Sequence, residues 1–222
     1  MTVAEMAAAV DALKPNGYTL AQKAGWIDDM ESEIWREVLL QSDGDWQSGS
    51  GGGRRLLLPD SFRRLYHMYL AAMIDFSNAE YGKYANAMAA YNSARQSFEA
   101  WYAERWAPAD RPAVWARAGR AAYNDAGGAG IELPPGAAVL AAVCEVEEAF
   151  DGADSALFLG TERRPGALMD AGEIDPERTG RFWRRMLFMP EADGRTLYAR
   201  CGSGGAAAGS ARFAVLIQPG RE

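Results

Sequence analysis

Between Leu56 and Pro108 the chain reads LLLPDSFRRLYHMYLAAMIDFSNAEYGKYANAMAAYNSARQSFEAWYAERWAP, and its apolar positions recur at helical spacing. Leu65, Tyr69, Ala72 and Phe76 form one stripe, and Tyr84, Met88, Tyr91, Phe98 and Trp101 form a second, so two amphipathic helices are predicted. Pro59 with Asp60-Ser61 marks the first start, because a short polar side chain accepts from an orphan N–H of the opening turn. The stripe weakens at Ser77-Asn78, which predicts a break there, with one unbroken rod as the alternative. Trp106-Ala107-Pro108 ends the run, since proline biases the residue before it away from helical geometry.

Two shorter helical patterns precede this pair. Thr2 stands three residues before Glu5, the spacing of a capping box, and Lys14-Pro15-Asn16-Gly17 supplies a stop. Thr19 caps the next pattern, in which Leu20, Ala24, Ile27, Met30 or Glu31, Ile34 and Val38 repeat until Ser42-Asp43-Gly44-Asp45. A Gly-rich loop over 42–55 follows. After Pro108 the periodicity fails apart from a short predicted helix over 114–123, and Asp125-Ala126-Gly127-Gly128 reads as a boundary. Beyond Ile131 short apolar runs are bounded by Gly, Pro and Asp, over 137–146, 156–159, 182–189, 196–201 and 212–218, and these read as strands. The run over 139–146 is apolar on both faces, as a central strand requires, and Phe213, Val215 and Ile217 alternate with Arg212, Ala214 and Leu216. The predicted fold is α+β in two domains: a helical domain over 1–125 and an antiparallel β-sandwich of jelly-roll type over 131–222.

Composition narrows the picture. With 222 residues, 49% of them hydrophobic, the chain is long enough to bury a real core. The net charge of −7 argues against general affinity for nucleic acid, which needs a basic surface. No apolar stretch reaches the roughly 20 residues of a membrane helix, and the first residues lack a basic leader, so the expectation is a soluble, unprocessed protein with no membrane partner.

Candidate chemistry is sparse, and neither a cofactor nor a metal is expected. His67 is the lone histidine and Cys144 and Cys201 the two cysteines, too few and too scattered for a nucleophilic triad or a zinc site; two buried thiols are expected. Asp28-Asp29-Glu31-Glu33 falls on several helix faces, and Glu145 with Glu147 shares a strand face that reads as solvated. Residues 151–162 have acidic ends at EF-hand spacing, but Ala153 and Ala156 replace a ligand and the turn glycine. Gly202-Ser203-Gly204-Gly205-Ala206-Ala207 matches a dinucleotide fingerprint formally, yet a strand rather than a helix follows it. Arg63-Arg64 opposes a helix dipole, and Arg181, Arg184 and Arg185 surround Trp183. No enzymatic activity is predicted.

The helical stretch resembles the head-to-tail adaptor, or connector, proteins of long-tailed double-stranded DNA phages. The residues carrying the likeness are Leu65-Tyr66, Tyr69-Leu70, Ala72-Met73-Ile74-Asp75-Phe76, Asn78, Glu80, Tyr84, Asn86, Met88, Tyr91-Asn92, Phe98 and Trp101-Tyr102. The opening residues 2–38 look like that family's first helix pair, and Ala79 and Gly82 depart from its pattern. The C-terminal half is similar to small β-sandwich modules of phage structural proteins, through Pro135-Gly136, Val139-Leu140, Leu159-Gly160-Thr161 and the run over 209–215. The resemblance implies a virion protein of the neck, assembled in the host cytoplasm, that forms a ring, expected to be a dodecamer, beneath the portal protein. Its partners would be the portal, neighbouring copies, a neck or tail-completion protein, and DNA sliding past an acidic lumen without sequence-specific binding. Implied interface residues are Tyr66, Tyr69, Tyr84, Asn86, Tyr91, Asn92 and Tyr102. The alternative is a virion-surface decoration or carbohydrate- or host-binding module anchored by the helices, with Trp183 and Tyr198 as its contact residues.

Overall fold

A computed structural model describes residues 1–42, 51–106, 110–124, 130–190, 195–202 and 204–221. It divides into two compact units, Met1–Arg105 and Trp106–Glu222. Most of the predicted Gly-rich loop, the Pro108 stop and the Asp125–Gly128 boundary lie outside the described residues.

Among the described residues the first unit holds four α-helices: α1 (Val3–Leu13), α2 (Leu20–Glu37), α3 (Arg63–Ser77) and α4 (Tyr81–Arg105). Local chemistry explains their ends. Thr2 accepts from the Glu5 amide while the Glu5 carboxylate accepts from the Thr2 amide, and Thr19 and Gln22 repeat the exchange at α2. The predicted cap at Asp60-Ser61 is not made. These residues form a single 3₁₀ turn with no side-chain cap, and the Asp60 carboxylate instead accepts from the N-terminal ammonium at 3.1 Å.

The predicted break falls between α3 and α4. The Ala79 amide donates to Phe76 O and the Glu80 amide to Asp75 O, the paired bonds of a Schellman stop. Ala79 sits at φ 59°, where a Cβ is disfavoured and glycine is usual. Helix packing buries Val3, Met6, Val10, Ile27, Met30, Ile34, Trp35, Leu65, Leu70, Ile74 and Phe98.

Among the described residues the second unit has seven strands: β1 (Val114–Ala122), β2 (Ile131–Glu132), β3 (Ala138–Glu148), β4 (Ala156–Thr161), β5 (Gly180–Phe188), β6 (Thr196–Gly202) and β7 (Ser210–Gln218). The helix predicted over 114–123 is therefore a strand, and it joins this unit rather than the helical one. Its register runs Val114 opposite Ile217 to Ala122 opposite Ser210, with a bulge between Arg117 and Gly119. Alanine-rich local propensity favours helix, but pairing with β1 covers the edge that β7 would otherwise expose, and tertiary pairing overrides propensity.

The sheets run β1-β7-β3-β5 and β2-β6-β4, all pairs antiparallel. This is the order of an eight-stranded jelly roll whose fifth strand has shrunk. At the edge where that strand would lie, Met169 makes an isolated bridge to Leu159 of β4. Gly160 permits the close return, since a Cβ there would meet the carbonyl oxygens of Arg164 and Pro165 at 2.2 and 2.4 Å. Val139, Ala142, Cys144 and Val146 of β3 meet Leu157, Leu159, Leu197 and Ala199 of the other sheet in one core. β3 pairs on both sides, as its two apolar faces predict.

Candidate functional site

The adaptor-like residues distribute unequally over the α3–α4 hairpin. Tyr66, Tyr91 and Tyr102 are closed inside the helical unit, Tyr69 and Tyr84 are half-buried, and Asn86 and Asn92 are exposed. Ring pairs tie the helices together: Tyr69 with Tyr91 at 5.2 Å, Phe76 with Tyr84 at 5.2 Å, and Phe62 with Phe98 and Trp101 at 4.9 and 4.6 Å. Such contacts assign part of the aromatic pattern to packing within one chain. Burial, reinforced by the Asp29 and Glu33 carboxylates, pushes the Tyr69 phenol up to about 12, so it stays a neutral donor.

Tyr66 has a defined task. Glu31 of α2 is fully buried and accepts from the Tyr66 hydroxyl at 2.6 Å, from the Leu57 amide at 2.7 Å and from the Arg54 guanidinium. The Leu58 amide donates to the Tyr66 oxygen at 3.0 Å. Burial first, then the Glu31 charge, holds the Tyr66 phenol well above its ordinary value, which keeps the proton that Glu31 receives. The buried carboxylate thus fastens 54–58 onto α2 and α3. Sequence reasoning placed Glu31 in an acidic run and missed this role, because its donors come from 23 to 35 residues away.

α4 presents a different surface. Only Tyr91, Phe98 and Tyr102 of its 25 residues are buried, while Ala85, Ala89, Ser93 and Ser97, four residues apart, are exposed. Arg95 fixes the helix to α2 through Glu33 and Glu37 and to its own Glu99 at 2.8 Å.

The groups considered for chemistry are partly buried, buried or ion-paired. Burial, then the nearby Arg63 charge, lowers the His67 pKa, and burial raises the Cys144 thiol to about 12. Glu145 accepts from Arg181 at 3.0 Å, while Glu147 lies 2.8 Å from Arg212 and 3.4 Å from Arg120. Among the described residues no three His, Cys, Asp or Glu side chains cluster as metal ligands. The segment after β6 is a turn into β7, with Gly204 and Gly205 at φ 53° and 81°. The Asp151 carboxylate accepts from its Ala207 and Ala208 amides, so these two donors are taken by a carboxylate of this chain. Among the described residues no helix is long and apolar enough to cross a membrane.

The two aromatics singled out for surface binding are separated. Tyr198 lies on β6, in the sheet opposite to that of Trp183, and Arg200 packs over its ring at 5.6 Å. Trp183 on β5 instead meets Trp115 on β1, with ring centroids 5.6 Å apart and planes at 87°. Trp115 is 43% exposed and escaped notice in the sequence because its segment reads as helix. The basic cluster around Trp183 also divides: Arg181 turns to Glu145, whereas Arg184 donates to Ala167 O and Leu168 O at 3.0 and 2.5 Å.

No family model matches this chain, and no curated protein matches it. Among solved structures it is similar to a chain of the cyanophage Pam1 capsid asymmetric unit, at 18% identity and a TM-score of 0.37, over 49% of this chain and 85% of that one. A likeness at that level carries no functional argument.

Proposed function

We propose that this chain is a structural protein of a phage virion, a head-to-tail adaptor that packs as a ring beneath the portal and extends the DNA channel toward the tail. The observation that carries this reading is the α3–α4 hairpin. The residues that resemble the adaptor family fold as two helices broken at the predicted place, and the second offers a long surface of small side chains. At 1.5 Å rise per residue, a helix of 25 residues spans roughly 37 Å. Ala85, Ala89, Ser93 and Ser97 along it allow a neighbouring backbone to approach closely, and exposed Asn86 and Asn92 supply side-chain hydrogen bonds at the rim. A heterologous contact repeated around an axis closes into a ring, and many copies add avidity for the portal.

Acidity supports the same reading. The net charge of −7 favours a surface along which DNA slides without being gripped. The jelly roll is compatible with it, being a fold used in viral capsids, although lectins and cupins share it.

The test is native mass spectrometry of the full chain mixed with the portal protein encoded beside it. Stoichiometric addition to the intact portal is expected. Ala89→Arg should abolish it while leaving thermal unfolding unchanged, because position 89 is exposed in the isolated chain. A portal that stays bare at saturating wild-type protein would reject the adaptor reading.

A further inference from the structure

We infer that the corner between Trp115 and Trp183 is a binding site for a neutral sugar ring, on the outer face of the four-stranded sheet. Strand register builds it. Val143 of β3 is paired with Trp183 on one side and Ala214 of β7 on the other, and Ala214 is opposite Arg117 of β1. The small side chains of Val143 and Ala214 leave a floor over which the two indoles meet edge to face. A cleft of about 340 Å³ opens there, lined by Trp115, Val143, Glu145, Arg181, Trp183 and Ala214, at the lower end of small-ligand pockets.

The chemistry of the walls selects the ligand. Indole faces stack on flat, weakly apolar surfaces, and the C–H face of a pyranose is one. Beside them Arg181 Nε donates to Glu145 Oε1 at 3.0 Å, with the two side chains 63% and 40% exposed. The pair keeps guanidinium donors and carboxylate lone pairs free for vicinal hydroxyls. The charges of this pair cancel each other, and a neutral polyhydroxylated ring is a ligand that its donors and acceptors suit. The core-facing side of the same strands is filled by Ala142, Cys144, Phe213 and Val215, and the corner therefore does not serve the sandwich core. The inference does not depend on the adaptor reading, since either unit can act without the other's partner.

Saturation-transfer NMR of the full chain with neutral oligosaccharides of glucose, galactose, mannose and N-acetylglucosamine tests it, at sugar concentrations on the order of millimolar, where a single shallow site is read. Transfer is expected to at least one neutral sugar, unchanged by added salt. Trp183→Ala and Trp115→Ala should each weaken it about tenfold or more, while Trp183→Phe retains part of it and Tyr198→Ala, on the other sheet, leaves it intact. Thermal unfolding checks each variant, and Arg181→Ala, at an exposed position, replaces any that fails to fold. Absence of transfer from every neutral sugar would overturn the inference. So would transfer that survives all the corner variants, or binding confined to acidic saccharides and abolished by salt.

Discussion

Ala79 holds a left-handed conformation without the freedom of glycine, and it is exposed, so no packing offsets the strain. Ala79→Gly is expected to stabilise the chain by about 1 kcal/mol, the cost of αL geometry for a residue with Cβ. A rise in the chemical denaturation midpoint checks this, and a fall would mean that the turn differs from the Schellman geometry. Tyr66 gives the opposite case. Tyr66→Phe removes the hydroxyl that joins Glu31 to the Leu58 amide and leaves both short of a partner in the interior, a loss of roughly 1–3 kcal/mol. Equilibrium unfolding at neutral pH measures it. These two residues also show where sequence is informative. The Ser77-Asn78 break was legible because the apolar stripe weakens there, a signal carried by local sequence. The Glu31 hub was not, because a buried carboxylate reads like any acidic residue until its distant donors are placed around it.

At the scale of elements, caps and stripes located the four α-helices among the described residues, and short apolar runs bounded by turn residues located five of the strands. What failed were β2, only two residues long, and β1, whose VWARAGRAA sequence carries no alternation and favours helix locally. Only its partner β7 decides it, and one sequence cannot display that pairing. The error also hid Trp115, and with it the better aromatic corner. Between α1 and α2 a half-buried ion pair sets a pH dependence. Lys23 is 2% exposed and its ammonium lies 2.6 Å from the Asp11 carboxylate, itself 42% exposed. The Lys23 hydrogen bond holds the Asp11 pKa below its ordinary 3.8, ahead of the opposing effect of burial and the further help of Asn16. A depressed carboxylate stabilises the fold above its unfolded pKa and loses that contribution as pH falls through the folded value. Unfolding followed from pH 6 down to pH 2 should therefore show stability falling below about pH 4, less steeply in Asp11→Asn. An identical slope in both proteins would assign the acid sensitivity to other carboxylates.

The whole molecule joins a helical unit, with an unusually open α4, to a jelly roll missing most of one strand. Each half was foreseeable as a class, helices then antiparallel strands, because periodicity survives without knowledge of partners. Which surfaces meet other molecules was less legible. Three of the tyrosines assigned to interfaces by resemblance, Tyr66, Tyr91 and Tyr102, are closed inside the chain, so the burden of contact shifts to α4's small residues and to Asn86 and Asn92. That shift makes the ring geometry the central claim. Electron microscopy of the full chain mixed with a portal protein of the same genome tests it most directly, in class averages of the portal's tail-facing end. The account predicts an added ring of density there, with the symmetry of the portal and one copy per portal subunit. An intact portal with no added density at that end would contradict it.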